Sequence, residues 1–313
     1  MRRSTPDTGV PLWAYTRGVR VVGAIGVALA LIAWGCGSSG SSSTTPGSTS
    51  AQSATSARAT TPAVASCTRR TRLRGAPLRT VLRVPPSARG HRAPLVLALH
   101  FAGGTGRLME QATQLTPQAR RSGFVVAYPT ASEGNFWSID NDLGRLTKTI
   151  AAIERATCID PARVYVVGIS NGGFMSTVLA CRMADKIAAA ALFAPGVNGI
   201  GDCRPSRPIS VLEIHGTADP IVPYRGSGDP ATAIPNFVAA WAHRDGCAST
   251  AVARRPGPTL TLLRWPGCRD RTRVEHLRLT GGQHIELLPE LRAAGVDPAR
   301  LAWRFLSAQR LPS

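Results

Sequence analysis

The sequence predicts an α/β fold, a mostly parallel central sheet with helices on both faces. Three observations carry that reading. Short apolar runs rich in β-branched residues alternate with helical patterns, as in βαβ units. The run Leu95–Leu99 is continuously apolar, as expected for a strand covered on both faces. Finally, His100, Ser170, Asp219 and His284 follow predicted strand ends and His215 lies at the end of one, where such sheets bind their ligands.

The chain does not begin with that pattern. Residues 1–20 contain Arg2, Arg3, Arg17 and Arg20, and the uncharged run VVGAIGVALALIAWG leads to Cys36. Its fifteen residues fall short of the ~20 that span a bilayer and suit the core of an export signal behind a positive leader. Residues 1–36 are therefore expected to be an export signal. Ala33-Trp34-Gly35 before Cys36 resembles a lipoprotein processing site, which makes Cys36 the candidate for lipidation; an uncleaved membrane anchor and ordinary secretion are the alternatives. Residues 37–66 are almost wholly Ser, Thr, Ala, Gly and Pro. They bury too little to offset the entropy of ordering and are expected to be a flexible tether. Residues 67–313 are then expected to make one domain with a sizeable core.

Within that domain, strands are predicted near 79–85, over the Leu95–Leu99 run and at 124–131, where Pro129 closes the third. Helices are predicted at about 107–121 and 141–156, followed by a strand at 163–168, a helix at 171–185 and a strand at 188–194. The run ISVLEIHG gives a strand at 209–216, and a helix containing Trp241 follows at about 231–245. Strands near 259–265 and 273–280 precede a last helix from 298 to about 309.

The net charge of +19 raises nucleic acid as a partner, but the composition argues otherwise. Of 37 basic residues only Lys148 and Lys186 are not arginine, and one local cluster (Arg69, Arg70, Arg72, Arg74, Arg79 and Arg83) stands out. The arginines read as a solvated surface, with loose attraction to an anionic envelope as the alternative; no nucleic-acid partner is expected, and a monomer is. Apart from Cys36, six cysteines remain: Cys67, Cys158, Cys181, Cys203, Cys247 and Cys268. An even number in an exported chain points to disulfides, although sequence leaves the pairing open. Cys247 and Cys268 flank a predicted strand and are the preferred pair, Cys181 with Cys203 comes second, and Cys67 with Cys158 would follow by elimination. No pair has zinc-site spacing, and no metal is expected.

Between a predicted strand and a predicted helix lies Gly168-Ile169-Ser170-Asn171-Gly172. A G-x-S-x-G placed there fits a nucleophile elbow, a tight turn that lifts the serine hydroxyl above the sheet. Glycines two residues either side remove side chains that would collide, and the following helix dipole favours negative charge. A serine hydroxyl needs a base to take its proton, and the base needs a carboxylate to hold its ring. Asp219 in HGTADPIVPY and His284 in LTGGQH supply both, in the chain order Ser, Asp, His of α/β-hydrolases. Asp202 and Asp270 are rival acids outside that context. His100 and His215 read as structural residues beside the site; His91, His243 and His276 read as surface or packing residues.

Together with CIDPARVYVVGISNGGFM and the Cys247 to Cys268 stretch, these motifs make residues 93–285 resemble the α/β-hydrolase esterases that include polyhydroxybutyrate depolymerases and feruloyl esterases, notably exported actinobacterial lipoproteins. The resemblance implies a cofactor-free serine esterase with Ser170 as nucleophile, Asp219 as orienting acid and His284 as base. HFAGG stands where the family has His-Gly-x-Gly-Gly, so the oxyanion hole is assigned to the backbone N–H groups of Ala102 and Asn171, with Phe101 as a lesser donor. Phe101, Trp137 and Phe174 are candidates to line the substrate pocket, core packing being the other reading of Trp137. Ile285-Glu286-Leu287 replaces the family's Thr-Trp-Pro, so specificity for aromatic acids or polyesters is not implied. The expected substrate is a small or oligomeric carboxylic ester (short-chain, feruloyl-like or hydroxyalkanoate). An envelope glycan deacetylase or acyltransferase is a second reading, and a non-catalytic envelope-binding protein a third.

Overall fold

A computed structural model describes residues 73–312. The expected export signal, the tether, Cys36 and Cys67 lie outside them. The strands are β1 (Thr80–Arg83), β2 (Ala93–Leu99), β3 (Val125–Pro129), β4 (Ile159–Ile169), β5 (Ala189–Phe193), β6 (Ser210–Gly216), β7 (Val252–Arg254), β8 (Leu260–Trp265) and β9 (Val274–Leu279). They form one sheet in the order β1-β3-β2-β4-β5-β6-β9-β8-β7. From β3 to β9 in that order every pairing is parallel, and β1, β8 and β7 add antiparallel edges.

Helices cover both faces: α1 (Gly106–Thr113), α2 (Leu115–Ser122), α3 (Ile139–Ala156), α4 (Asn171–Arg182), α5 (Ile234–Arg244), α6 (Leu287–Ala293) and α7 (Pro298–Leu306). Because successive strand side chains point to opposite faces, β2 feeds two cores. Leu95, Leu97 and Leu99 pack with α3, α4 and α5 residues such as Ile150, Val178 and Trp241. Val96 and Ala98 pack on the other side with Met109, Leu115, Leu291 and Phe305. Every residue of β2, β3, β5 and β6 is buried, which is why β2, β3 and β5 carry no polar alternation.

Three features depart from expectation. The single helix over 107–121 is two helices, broken at Gln114 in the left-handed conformation (φ 58°). In an unbroken helix the ring of Pro117 would meet the Thr113 carbonyl and remove a hydrogen bond; in α2 it occupies the first turn, where no such bond is needed. β7 is three exposed residues and α6 is seven residues, both too short to leave a periodic signal. Helix α4 ends at Arg182 and α7 at Leu306, short of the expected 185 and 309.

The disulfides Cys181–Cys203 and Cys247–Cys268 are present, with sequence separations of 22 and 21. Loops of that length make each cross-link worth roughly 3 kcal/mol through the entropy it removes from the unfolded chain. The third expected pair falls partly outside the described residues. Since the central strands are parallel, the segments after β2, β4, β6 and β9 emerge along one edge of the sheet, and that edge holds the site.

Candidate active site

Strand β4 ends at Ile169 and α4 begins at Asn171, so Ser170 alone makes the turn, with φ 53° and ψ −116°. A non-glycine residue held there costs on the order of 1–3 kcal/mol and persists only where its surroundings enforce it. Three hydrogen bonds do so. The Ser170 N–H donates to Phe193 O at 2.9 Å, while its carbonyl accepts from Phe174 N–H at 2.9 Å and Gly196 N–H at 3.1 Å. Closeness, rather than backbone angle, dictates the flanking glycines. A Cβ on Gly168 would lie 2.1 Å from the Gly172 carbonyl oxygen, and one on Gly172 would lie 2.1 Å from that of Leu99.

The turn presents the Ser170 hydroxyl to His284, whose Nε2 lies 2.9 Å from Oγ. On the other side of the ring, Nδ1 lies 2.6 Å from Asp219 Oδ2. A carboxylate oxygen accepts, so Nδ1 carries the hydrogen and Nε2 is left to accept from the serine. Asp219 Oδ1 accepts the N–H groups of Ile221 (2.9 Å) and Val222 (2.8 Å). Burial alone would raise the Asp219 carboxyl; hydrogen bonds from His215, His284 and the Val222 N–H outweigh it and hold the group well below the usual carboxylate range. The loop bearing His284 is tied to the acid loop by Gly281 N–H to Thr217 Oγ1 (2.8 Å) and Ala218 N–H to Gly282 O (3.0 Å). It is tied to α6 by Gln283 N–H to Glu290 Oε2 (2.8 Å). Asp219 and His284 are buried and Ser170 is half-buried.

Beside this relay, residues Phe101 to Gly104 form a turn closed by Gly104 N–H to Phe101 O at 2.9 Å. His100 braces it: one ring nitrogen, Nδ1, lies 2.7 Å from the Phe101 carbonyl, and the other, Nε2, accepts the Ala131 N–H at 3.1 Å. The imidazole is therefore neutral with its hydrogen on Nδ1, and burial, the largest influence, pushes its protonation below the ordinary histidine range. Ala102 is exposed on this turn, and among the described residues its N–H donates to no backbone oxygen. Asn171 opens α4, so its N–H has no acceptor within the helix.

Of the two readings of Trp137, pocket lining and core packing, its contacts favour packing. It is fully buried and forms a strut rather than a pocket wall. Its backbone N–H donates to Asn171 Oδ1 (2.7 Å), its carbonyl accepts from Asn171 Nδ2 (3.1 Å), and its indole N–H donates to His100 O (2.9 Å). It thereby locks the Phe101 turn to the serine turn. Phe101 and Phe174 are half-buried. Three large apolar side chains not proposed from sequence as pocket residues, Phe136, Ile221 and Ile285, are exposed by 54%, 57% and 77%, each within two residues of Trp137, Asp219 or His284. Asp202 pairs with Arg204 at the surface and Asp270 is exposed, so neither competes with Asp219. His276, read as a surface or packing residue, is fully buried and bonded to Glu213. The signal for that contact was a glutamate inside the fully buried β6. Among the described residues, no group of His, Cys, Asp and Glu side chains is placed to hold a metal ion.

Residues 101–221 match the sequence profile of a family described by the α/β-hydrolase fold. The chain is 29% identical over 257 residues to feruloyl esterase B of Piromyces equi, covering 75% of this chain and 46% of that protein. It is 30% identical over 209 residues to a bifunctional acetylxylan esterase/xylanase of Neocallimastix patriciarum, covering 64% of this chain and 30% of that protein. The chain thus spans less than half the length of either relative. In three dimensions it matches the acetyl xylan esterase from Aspergillus awamori with a TM-score of 0.56 at 15% identity, over 77% of this chain and 99% of that one. Sheet order, the turn at Ser170 and these similarities make the chain an α/β-hydrolase by fold.

Proposed function

We propose that the chain is a serine esterase acting through an acyl-enzyme. The observation that supports this best is the continuous contact from Ser170 Oγ through His284 (2.9 Å) to Asp219 (2.6 Å). His284 takes the Ser170 proton as Oγ attacks the ester carbonyl, and the oxyanion meets the N–H groups of Ala102 and Asn171. The C–O bond then breaks, and the alcohol leaves with the proton from His284. Water, losing a proton to the same imidazole, attacks the acyl carbonyl and restores Ser170 while the acid departs. The names of the relatives point to feruloyl and acetyl esters, and the exposed Phe136, Ile221 and Ile285 offer an apolar rim for the bulkier acyl group.

A panel of acetyl, butyryl, hydroxybutyryl and feruloyl esters tests both parts. Wild type is expected to hydrolyse members of the panel. Phe136→Ala and Ile285→Ala are expected to raise KM for the feruloyl ester roughly tenfold, the loss of about 1–2 kcal/mol of apolar contact, with little effect on the acetyl ester. No turnover of any ester defeats the esterase reading, and equal effects on acetyl and feruloyl esters defeat the rim.

Export is part of the same proposal. Disulfides persist in oxidising compartments, and Cys181–Cys203 and Cys247–Cys268 support a site of action outside the cytoplasm. Attachment through Cys36 is expected to appear as fatty-acid label on wild type that is lost in Cys36→Ala. An unlabelled wild type rejects lipidation.

A further inference from the structure

Behind Asp219 the polar contacts continue into the sheet. Glu213 and His215 stand two apart on β6, so their side chains leave the same face, and the parallel pairing of β6 with β9 sets Glu213 opposite His276. Glu213, His215 and His276 all have 0% exposure. Glu213 Oε1 lies 2.9 Å from His215 Nδ1, and Oε2 lies 2.5 Å from His276 Nδ1. The other nitrogen of His276 meets the Tyr224 hydroxyl at 2.8 Å. His215 Nε2 lies 2.9 Å from the Val222 carbonyl and 3.1 Å from Asp219 Oδ2.

The protonation of His215 follows from its partners. A backbone carbonyl only accepts, so Nε2 carries a hydrogen. A buried carboxylate oxygen without a donor is unfavourable; His276 Nδ1 serves Oε2, so Oε1 of an ionised Glu213 calls for a hydrogen on His215 Nδ1 as well. His215 is therefore an imidazolium paired with the Glu213 carboxylate, and its single Nε2–H is shared between the Val222 carbonyl (2.9 Å) and the Asp219 oxygen (3.1 Å) that also accepts from His284. Burial alone would lower the His215 pKa, but the hydrogen bonds to Asp219 and Glu213 and the charge of Glu213 push it up to about 10. Burial would likewise raise Glu213, and the charge of His276 and the hydrogen bond from His215 bring it below the ordinary glutamate value.

We infer that His215, clamped by Glu213, is a positioning residue: its Nε2–H fixes Asp219 Oδ2 in the orientation that holds the His284 ring toward Ser170. The inference rests on the proposed esterase reading. Val222 closes the unit, since its N–H holds Asp219 Oδ1 while its carbonyl takes His215. Asp219 Oδ1 is thereby held by two backbone donors, and Oδ2 takes the shared His215 Nε2–H beside the bond from the base it orients. A purely architectural histidine would leave the reaction unchanged once the chain had folded. This one shares its acceptor atom with the base.

The test counts live sites first, by fluorophosphonate titration of Ser170, and then measures turnover per labelled site. His215→Ala is expected to lower kcat per site about ten- to hundredfold, a fraction of the roughly 10⁴-fold loss seen when an orienting carboxylate itself is neutralised, with KM little changed. The charged and titratable groups around the ring are Glu213, Asp219, His284, His276, Tyr224 and, beside Tyr224, Arg278. Removing the positive ring from among them moves the acid limb of kcat/KM to higher pH. His215→Gln, which keeps an N–H donor facing Asp219, recovers about tenfold of the loss.

An unchanged kcat per site and pH profile in folded His215 variants overturn the inference and leave the esterase reading standing. A wild type that takes no label overturns both. Should His215→Ala fail to fold, ¹⁵N-histidine spectra of wild type at pH 8 decide: both His215 ring nitrogens protonated support the inference, and a neutral ring overturns it.

Discussion

Ser170→Ala is expected to lower kcat for a short p-nitrophenyl ester by about 10⁶, to the residual rate that binding and oxyanion donors provide without a nucleophile. The size of the effect follows from the geometry, because the Ser170 hydroxyl is the group His284 faces at 2.9 Å and α4 closes off the turn behind it. Stability separates this loss from misfolding. Alanine keeps a Cβ at φ 53°, ψ −116°, so Ser170→Ala should unfold at nearly the same urea concentration as wild type. Ser170→Gly, equally inactive, relieves the backbone strain and should gain about 1 kcal/mol. Turnover retained in the alanine variant would remove Ser170 from the mechanism. A glycine variant less stable than wild type would show that no strain is held at the turn.

The contrast between these variants shows which parts of the molecule sequence can disclose. The serine turn was legible because its constraint is local: Gly168 and Gly172 must lack Cβ atoms for carbonyls 2.1 Å away, and the strand and helix either side are strongly patterned. The buried strands were legible for a similar reason, since β2 and β5 are apolar on both faces. Asp219 and His284 were found through chain order and their places after β6 and β9. What escaped depends on partners that sequence does not name. Glu213 meets His276 only through the alignment of β6 against β9, and one residue of slippage would turn the side chains to opposite faces. Trp137 looks the same in sequence whether it lines a pocket or fills a core. Its role is decided by Asn171 and His100, more than 30 residues away in either direction. The break at Gln114 was available in the sequence, since Pro117 forbids an uninterrupted helix, and periodicity alone passed over it.

Asp219→Asn should separate orientation from charge as sharply as Ser170→Ala isolates the nucleophile. The carboxylate accepts on both sides: Ile221 and Val222 N–H groups at Oδ1, His284 Nδ1 and His215 Nε2 at Oδ2. An amide has one oxygen. If that oxygen stays with the two backbone donors, its NH₂ group meets His284 Nδ1–H and His215 Nε2–H, and donor faces donor. His284 relieves the clash by moving its hydrogen to Nε2, where it can no longer accept the Ser170 proton, so kcat is expected to fall about 10⁴-fold with the fold intact. The same substitution changes how stability responds to acid. The folded-state pKa of Asp219 lies below the ordinary value of 3.8, so near and below that pH the unfolded chain binds the extra proton first. Wild type therefore loses this contribution as pH falls from about 4 toward the depressed folded value, whereas Asp219→Asn has no such proton to bind and should show a shallower decline. Urea titrations of both proteins at pH 7 and pH 3 read the difference, and parallel declines would mean that Asp219 is not held ionised by its four donors.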